Sequence, residues 1–242
     1  MTARWRTPLY FLLLTLVITY AIWFASMALA RVGGVWLGGL PLLGPAIAAF
    51  IMVRHVGAGR WLAGELREAR FRWWWLLVPP AFYATAWSIA RILGVDVPLD
   101  WQTAVLLLVA QTILTGLPEE IGWRAYLTRS MLRTHSPLVA SLFVGVGWGL
   151  WHGPKLLMIP LLPLTTLAMS VLMTYAFARL RGGLPLAMLI HGSFNGALFW
   201  AERGDPSMAV ALHDVFAGIL TLAAIALVAW KRDWYLARPG RT

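Results

Sequence analysis

The sequence predicts an all-α fold: a polytopic transmembrane bundle of about eight helices with both termini in the cytoplasm. Three observations carry this. Of 242 residues, 60% are hydrophobic and only 12% are charged, about half the charged fraction of a soluble domain. Mean hydropathy is +0.72, and apolar runs of membrane length recur from end to end. Basic residues also alternate, being abundant in one set of connecting loops and scarce in the other.

A helix needs about 20 apolar residues to cross the hydrocarbon core. On that measure the spans are 8–30, 36–53, 73–93, 101–133, 137–154, 160–178, 184–201 and 210–230. The first follows Arg4 and Arg6 and ends on Ala28-Leu29-Ala30, which imitates a signal-peptide cleavage site. The run is longer than a signal-peptide core, and its removal would put the basic loops on the wrong side, so it reads as a retained span. Between the second and third spans, residues 58–72 form a basic amphipathic stretch. Leu62, Leu66 and Ala69 recur at helical spacing, with Arg60, Arg67 and Arg70 elsewhere on the wheel, as in a helix lying on the cytoplasmic surface. Trp73, Trp74 and Trp75 then lead into the third span as an interfacial aromatic belt. The fourth span is long, and its C-terminal end near Arg129 and Arg133 is expected to leave the bilayer.

One set of loops collects Arg4 and Arg6, then Arg54, Arg60, Arg67, Arg70 and Arg72, then Arg129 and Arg133, Arg179 and Arg181, and finally Lys231, Arg232, Arg238 and Arg241. The other set holds Arg31, Arg91 with Asp96 and Asp100, Lys155, and Glu202, Arg203, Asp205 and Asp214. The positive-inside rule therefore places both termini in the cytoplasm. The formal charge of +10 does not point to nucleic acid, because the arginines sit where helix ends meet lipid headgroups. With no cysteine, a disulfide framework, a thiolate metal site and a cysteine nucleophile are all excluded. Repeats, low-complexity segments and dinucleotide, P-loop or HExxH motifs are absent. The chain reads as one integral-membrane domain, 1–242, with the amphipathic segment at about 58–72 and its chemistry at about 100–200. An arginine-rich, lysine-poor composition with short loops points to a prokaryotic cytoplasmic membrane.

Within these spans the polar residues stand out. A carboxylate at bilayer depth costs about 2.5 kcal/mol or more on insertion scales, yet Glu119 and Glu120 lie side by side in the fourth span. On a helix Glu120 and Arg124 are four apart, in the acid-before-base order that favours pairing. Glu119 is rotated by about 100° and is left for other partners, as a buried general base would be. His152 ends the fifth span, where Gly145, Gly149 and Gly153 form a small-residue ridge open to a neighbouring helix. His191 and Asn195 share one face of the seventh span, flanked by a second ridge, Gly192 and Gly196. Helical rise puts Glu119 about 21 Å, His191 about 12 Å, Asn195 about 18 Å and His152 about 22 Å from the basic ends of their helices, so a common depth is geometrically available. The competing reading of the same residues is a polar knot that glues helices together. His55, His135 and His213 read as solvated surface residues.

At these positions the chain resembles the CPBP family of intramembrane proteases, also called the Abi family, which includes the type II CAAX prenyl endopeptidases. The family pattern is Glu-Glu-x-x-x-Arg, then Phe-x-x-x-His, then His-x-x-x-Asn or Asp, on successive membrane helices. Here Glu119-Glu120 with Arg124, Trp148 with His152, and His191 with Asn195 follow in that order, with Trp148 in place of the usual Phe. That exchange is expected to keep an aromatic packing role and to touch no chemistry. The resemblance implies cleavage of peptide or protein substrates, some of them lipidated, within the bilayer. Glu119 would activate water, His152 would help to hold it, His191 and Asn195 would donate to the oxyanion, and Glu120 with Arg124 would support the site.

No cofactor is favoured; the alternative is a zinc ion held by Glu119, His152 and His191 with an open position for water. Two other function classes remain in view. A non-catalytic scaffold or bacteriocin-immunity-type binder could use the same fold. A transporter or proton relay would also place Glu and His in the membrane, but the absence of paired broken helices weighs against it.

Overall fold

The computed structural model describes residues 3–32 and 37–239, and these are helical with no strand among them; Arg241 lies outside the described residues. Nine principal helices follow in chain order. They are α1 (Ala3–Arg31), α2 (Gly44–Met52, led in by a 3-10 turn at Leu40–Leu43) and α3 (Ala58–Arg67), then α4 (Val78–Ile92, after a 3-10 turn at Trp73–Leu77) and α5 (Trp101–Leu132). The chain continues through α6 (Pro137–Trp151), α7 (Leu162–Thr174), α8 (Gly183–Glu202) and α9 (Ala209–Trp230). Apart from α3, each corresponds to one of the eight expected spans. Four helical stretches satisfy a strict membrane-length test: Arg4–Arg31, Trp101–Leu132, Gly183–Glu202 and Pro206–Trp230. Among the described residues, Leu40–Met52 and Pro137–Trp151 are apolar but shorter.

The burial pattern is that of a membrane bundle, with large apolar side chains outside and polar ones inside. Leu13, Val17 and Phe24 of α1, Leu106, Val109 and Leu114 of α5, and Leu222 and Ile225 of α9 face outward. Glu119, Glu120, Arg124, His191 and Ser193 are buried. Helix α8 packs on α4 and α5, α7 on α6 and α9, and α1 on α2, which also meets the second half of α5. Both small-residue ridges work as close approaches. A Cβ on Gly145 would stand 2.8 Å from Leu167 Cα of α7, and one on Gly192 would stand 2.5 Å from Thr112 Cα of α5. Gly153 leaves its ridge: it adopts φ +53 beyond the end of α6 and faces Tyr20.

Helix α5 starts on an Asp100 cap, whose carboxylate accepts from the backbone N–H groups of Gln102 (3.1 Å) and Thr103 (3.2 Å) and from the Thr103 hydroxyl. The Thr103 bonds hold the Asp100 carboxyl below the usual carboxylate range. The cap is therefore intact at neutral pH and is lost only as acidification passes that lowered value. Asp100→Ala should speed hydrogen exchange at the Gln102 and Thr103 amides while leaving residues 117–124 protected. Equal exchange in both proteins would show that the cap does not hold this end. Farther along, α5 changes winding. Residues Gln111–Gly116 and Ile121–Thr128 are π-helical and bracket a short α-turn, Leu117–Glu120. Pro118 accounts for the first of these segments, since it has no N–H for the ladder and its ring crowds the carbonyl four residues back. Such wide turns concentrate at functional sites.

Several expectations at the basic end need correction. The amphipathic helix stops at Arg67, short of Arg72. Its inward residue is Glu65, bonded to Arg129 Nε (3.0 Å) and Nη2 (2.7 Å), whereas Leu66 is 45% exposed. Burial holds the Glu65 carboxyl above its ordinary range against the opposing pull of Arg129. Trp75 is 5% exposed and belongs to the core, while Trp73 faces outward. His135 is buried against Trp5, with ring centroids 4.1 Å apart. His213 is buried too, between Thr165 (3.2 Å) and Asp214 (3.4 Å). Both had read as solvated because sequence distance hides the partners that cover them.

Candidate active site

Glu119 and Glu120 occupy the α-turn between the two π segments, and both are sealed from the outside, at 2% and 0% exposure. Their partners differ. Glu120 Oε2 meets Arg124 Nε at 3.2 Å, an ion pair without the alignment of a hydrogen bond. Its Oε1 accepts from His191 Nδ1 of α8 at 2.8 Å. Arg124 is wholly buried; its Nη2 reaches Met173 Sδ at 3.2 Å, and its Cζ lies 4.6 Å from the centroid of the Trp148 ring. Such a guanidinium is held by a carboxylate on one side and an aromatic face on the other.

Glu119 takes a different donor. The Trp148 indole Nε1 donates to its Oε2 at 2.8 Å. The other oxygen, Oε1, has no hydrogen bond from any described residue. Of the two acids, Glu119 therefore has an oxygen with neither a hydrogen bond nor an ion pair among the described residues, and Glu120 does not.

Trp148 is the residue around which the site is assembled. Besides Glu119 and Arg124, it stands edge-on to His191 with centroids 5.1 Å apart. Its backbone carbonyl accepts from His152 Nδ1 at 2.8 Å. Trp148 thus does more than the packing expected of it: its N–H, which phenylalanine lacks, bonds Glu119. The available signal was its position one turn before His152, which puts both on the same helix face.

The remaining expected residues are joined less directly. His152 is half-buried at the C-terminal end of α6 and meets the acids only through Trp148. Asn195 is half-buried on the His191 face of α8 and makes no side-chain hydrogen bond to the described residues. Among the described residues no three His, Asp or Glu side chains stand close enough together to hold a metal ion. Each histidine is bonded through Nδ1 alone, His191 to Glu120 and His152 to the Trp148 carbonyl, and Nε2 of each has no partner among the described residues.

Comparison with known proteins bears on this arrangement. Residues 101–197 match the family model described as "Type II CAAX prenyl endopeptidase Rce1-like", a stretch that includes Glu119, Glu120, Arg124, Trp148, His152, His191 and Asn195. A protein named CAAX prenyl protease 2, from Methanococcus maripaludis, is 24% identical over 152 residues, covering 56% of this chain and 52% of that protein. The match thus spans about half the length of that relative. The matched stretch carries all three motifs, and over it the chain is similar to Rce1-like type II CAAX prenyl endopeptidases.

Proposed function

We propose that the protein is an intramembrane endopeptidase that hydrolyses a peptide bond of a membrane-associated or lipidated substrate, using water activated by Glu119. The observation that carries this reading is the division of labour between the two acids. Glu120 is hydrogen-bonded to His191 through one oxygen and ion-paired with Arg124 through the other, whereas Glu119 is fixed by Trp148 through one oxygen and has neither kind of partner at the other. A general base needs that combination of a held orientation and a free lone pair within reach of its proton.

In this reading a water donates one hydrogen to Glu119 Oε1 and the other to His152 Nε2, which is an acceptor because Nδ1–H is committed to the Trp148 carbonyl. Glu119 takes the proton as the water oxygen bonds to the scissile carbonyl carbon. The oxyanion accepts from His191 Nε2–H and the Asn195 amide. Glu119 then returns the proton to the leaving nitrogen as the C–N bond breaks, giving a new carboxylate and a new amine. A proton on both His191 nitrogens would make its charge and that of Arg124 balance the two carboxylates, so no net charge would be buried. The basic end would face the cytoplasm, and no metal takes part.

The similarity to CAAX prenyl protease 2 and to the Rce1-like prenyl endopeptidases makes a prenylated C-terminal peptide the first substrate to try. Full-length protein in liposomes should release a short C-terminal peptide from it, and chelators should not reduce the rate. An intact substrate after incubation with folded protein would favour the scaffold reading, and loss of activity on metal removal would overturn the metal-free one. Trp148→Phe keeps the aromatic bulk but removes the N–H. A hydrogen bond to a charged group is worth about 1.5–3 kcal/mol, so turnover should fall by about tenfold or more with KM little changed. Unaltered turnover would remove Trp148 from the mechanism.

A further inference from the structure

At the basic end a cavity of about 880 Å³ opens between four separate parts of the chain. Arg67 and Arg70 reach it from the end of α3 and the segment after it, Arg129 and Arg133 from the end of α5, and Arg179 and Arg181 from the turn after α7. Phe177 and Trp234 add aromatic surface. Only Arg129 has an acidic partner: its Nη2 lies 2.7 Å from Glu65 and 2.8 Å from Glu68, and its Cζ lies 5.3 Å from the Phe177 ring centroid. Arg67, Arg70, Arg133, Arg179 and Arg181 make no ion pair with any described residue. Six guanidiniums against two carboxylates leave a surplus of four positive charges around one concavity.

A solvated basic fringe has no reason to converge, because like charges on flexible side chains spread apart. Here the backbone enforces the convergence. Arg181 has φ +54, the only non-glycine residue in the left-handed region among those described, although Gly182 and Gly183 follow it directly. That conformation is disfavoured for a residue with a Cβ. Its carbonyl accepts from the Arg70 N–H at 2.9 Å, which ties two of the arginine-bearing segments together.

We propose that this cavity binds the phosphate-bearing headgroup of an anionic phospholipid. Guanidiniums pair with phosphate oxygens through two parallel N–H bonds, and basic pockets between membrane helices suit such headgroups. Trp234, an amphipathic aromatic in the lining, suits headgroup depth. The site is separate from the proposed peptidase centre, and its assignment does not depend on that reading.

The test uses delipidated full-length protein in neutral detergent, titrated separately with phosphatidylglycerol, with phosphatidylcholine of the same chain length, and with inorganic phosphate. Adducts are read by native mass spectrometry and stability by thermal shift. Phosphatidylglycerol should form a saturable one-to-one adduct at least tenfold tighter than phosphatidylcholine. R133Q/R179Q should weaken it at least tenfold. R54Q/R60Q, which removes equal charge from the same end but outside the cavity, should change it less than twofold. Equal losses in both double variants, or equal binding of the two lipids, would overturn the proposal. Competition by sub-millimolar phosphate would assign the site to a soluble phosphate and overturn the lipid source. Should R133Q/R179Q fail to fold, A178C provides a second reading, since the chain has no native cysteine and Ala178 lines the cavity. Phosphatidylglycerol, and not phosphatidylcholine, should protect that thiol from labelling; absence of protection counts against the site.

Discussion

Glu119→Gln should reduce peptide cleavage by about 10²- to 10⁴-fold, the usual contribution of a positioned general base, without a comparable loss of stability. The substitution is nearly isosteric, and a glutamine side-chain oxygen still accepts from Trp148 Nε1, which bonds Glu119 at 2.8 Å. What it loses is the capacity to take a proton. With the Glu119 charge gone, His191 can give up its second proton and leave Glu120 balanced by Arg124, so the thermal midpoint should stay close to that of the original protein. Glu119→Asp keeps the base but withdraws it by one methylene, so an intermediate rate is expected. A Glu119→Gln protein that unfolds would leave Glu119→Asp to decide, by its rate against that of the original protein. A folded Glu119→Gln protein that still supports its cellular role would favour a scaffold over an enzyme.

Arg124→Met should destabilise the fold by about 3–5 kcal/mol, the range for breaking one side of a buried ion pair. Both Arg124 and Glu120 are 0% exposed, and no water-facing rotamer can relieve the charge left behind. The thioether fills much of the space beside Met173 and Trp148, so the loss reports charge rather than a cavity. Arg124→Met combined with Glu120→Gln should recover a large part of the stability, because no uncompensated charge remains. The recovery separates the cost of a lone buried charge from the value of the pair. Thermal unfolding in detergent of the two single variants and the double variant reads this directly. A single Arg124→Met variant as stable as the original would show that Glu120 and His191 balance each other without it.

Helix placement was legible because apolar run length nearly determines it. The expected 101–133 and 184–201 become Trp101–Leu132 and Gly183–Glu202. The alternation of basic loops also survives in three dimensions, since Arg67, Arg129 and Arg179 come from distant segments and line one cavity. The Glu120–Arg124 pair was legible because both residues lie on one helix. The choice of His191 for Glu120 rather than Glu119 was not. It depends on the rotation of α8 against α5 and on the π-turns around Pro118, and neither leaves a periodic signal. Trp148 was missed for a related reason: an aromatic residue in a membrane span reads as packing until the rotamer of its indole is known. His135, His213 and Glu65 were misplaced because their covering partners lie far away in sequence, as with Glu65 and Arg129.

The most direct test of the account is a structure of the protein with a non-cleavable substrate analogue carrying a tetrahedral alcohol at the scissile position. The account predicts that carbon within about 3–3.5 Å of a water or hydroxyl bound to Glu119 Oε1, with the analogue's oxygen directed at His191 and Asn195. An analogue seated with its scissile position away from Glu119, or with Glu119 Oε1 turned to another protein donor, would contradict it.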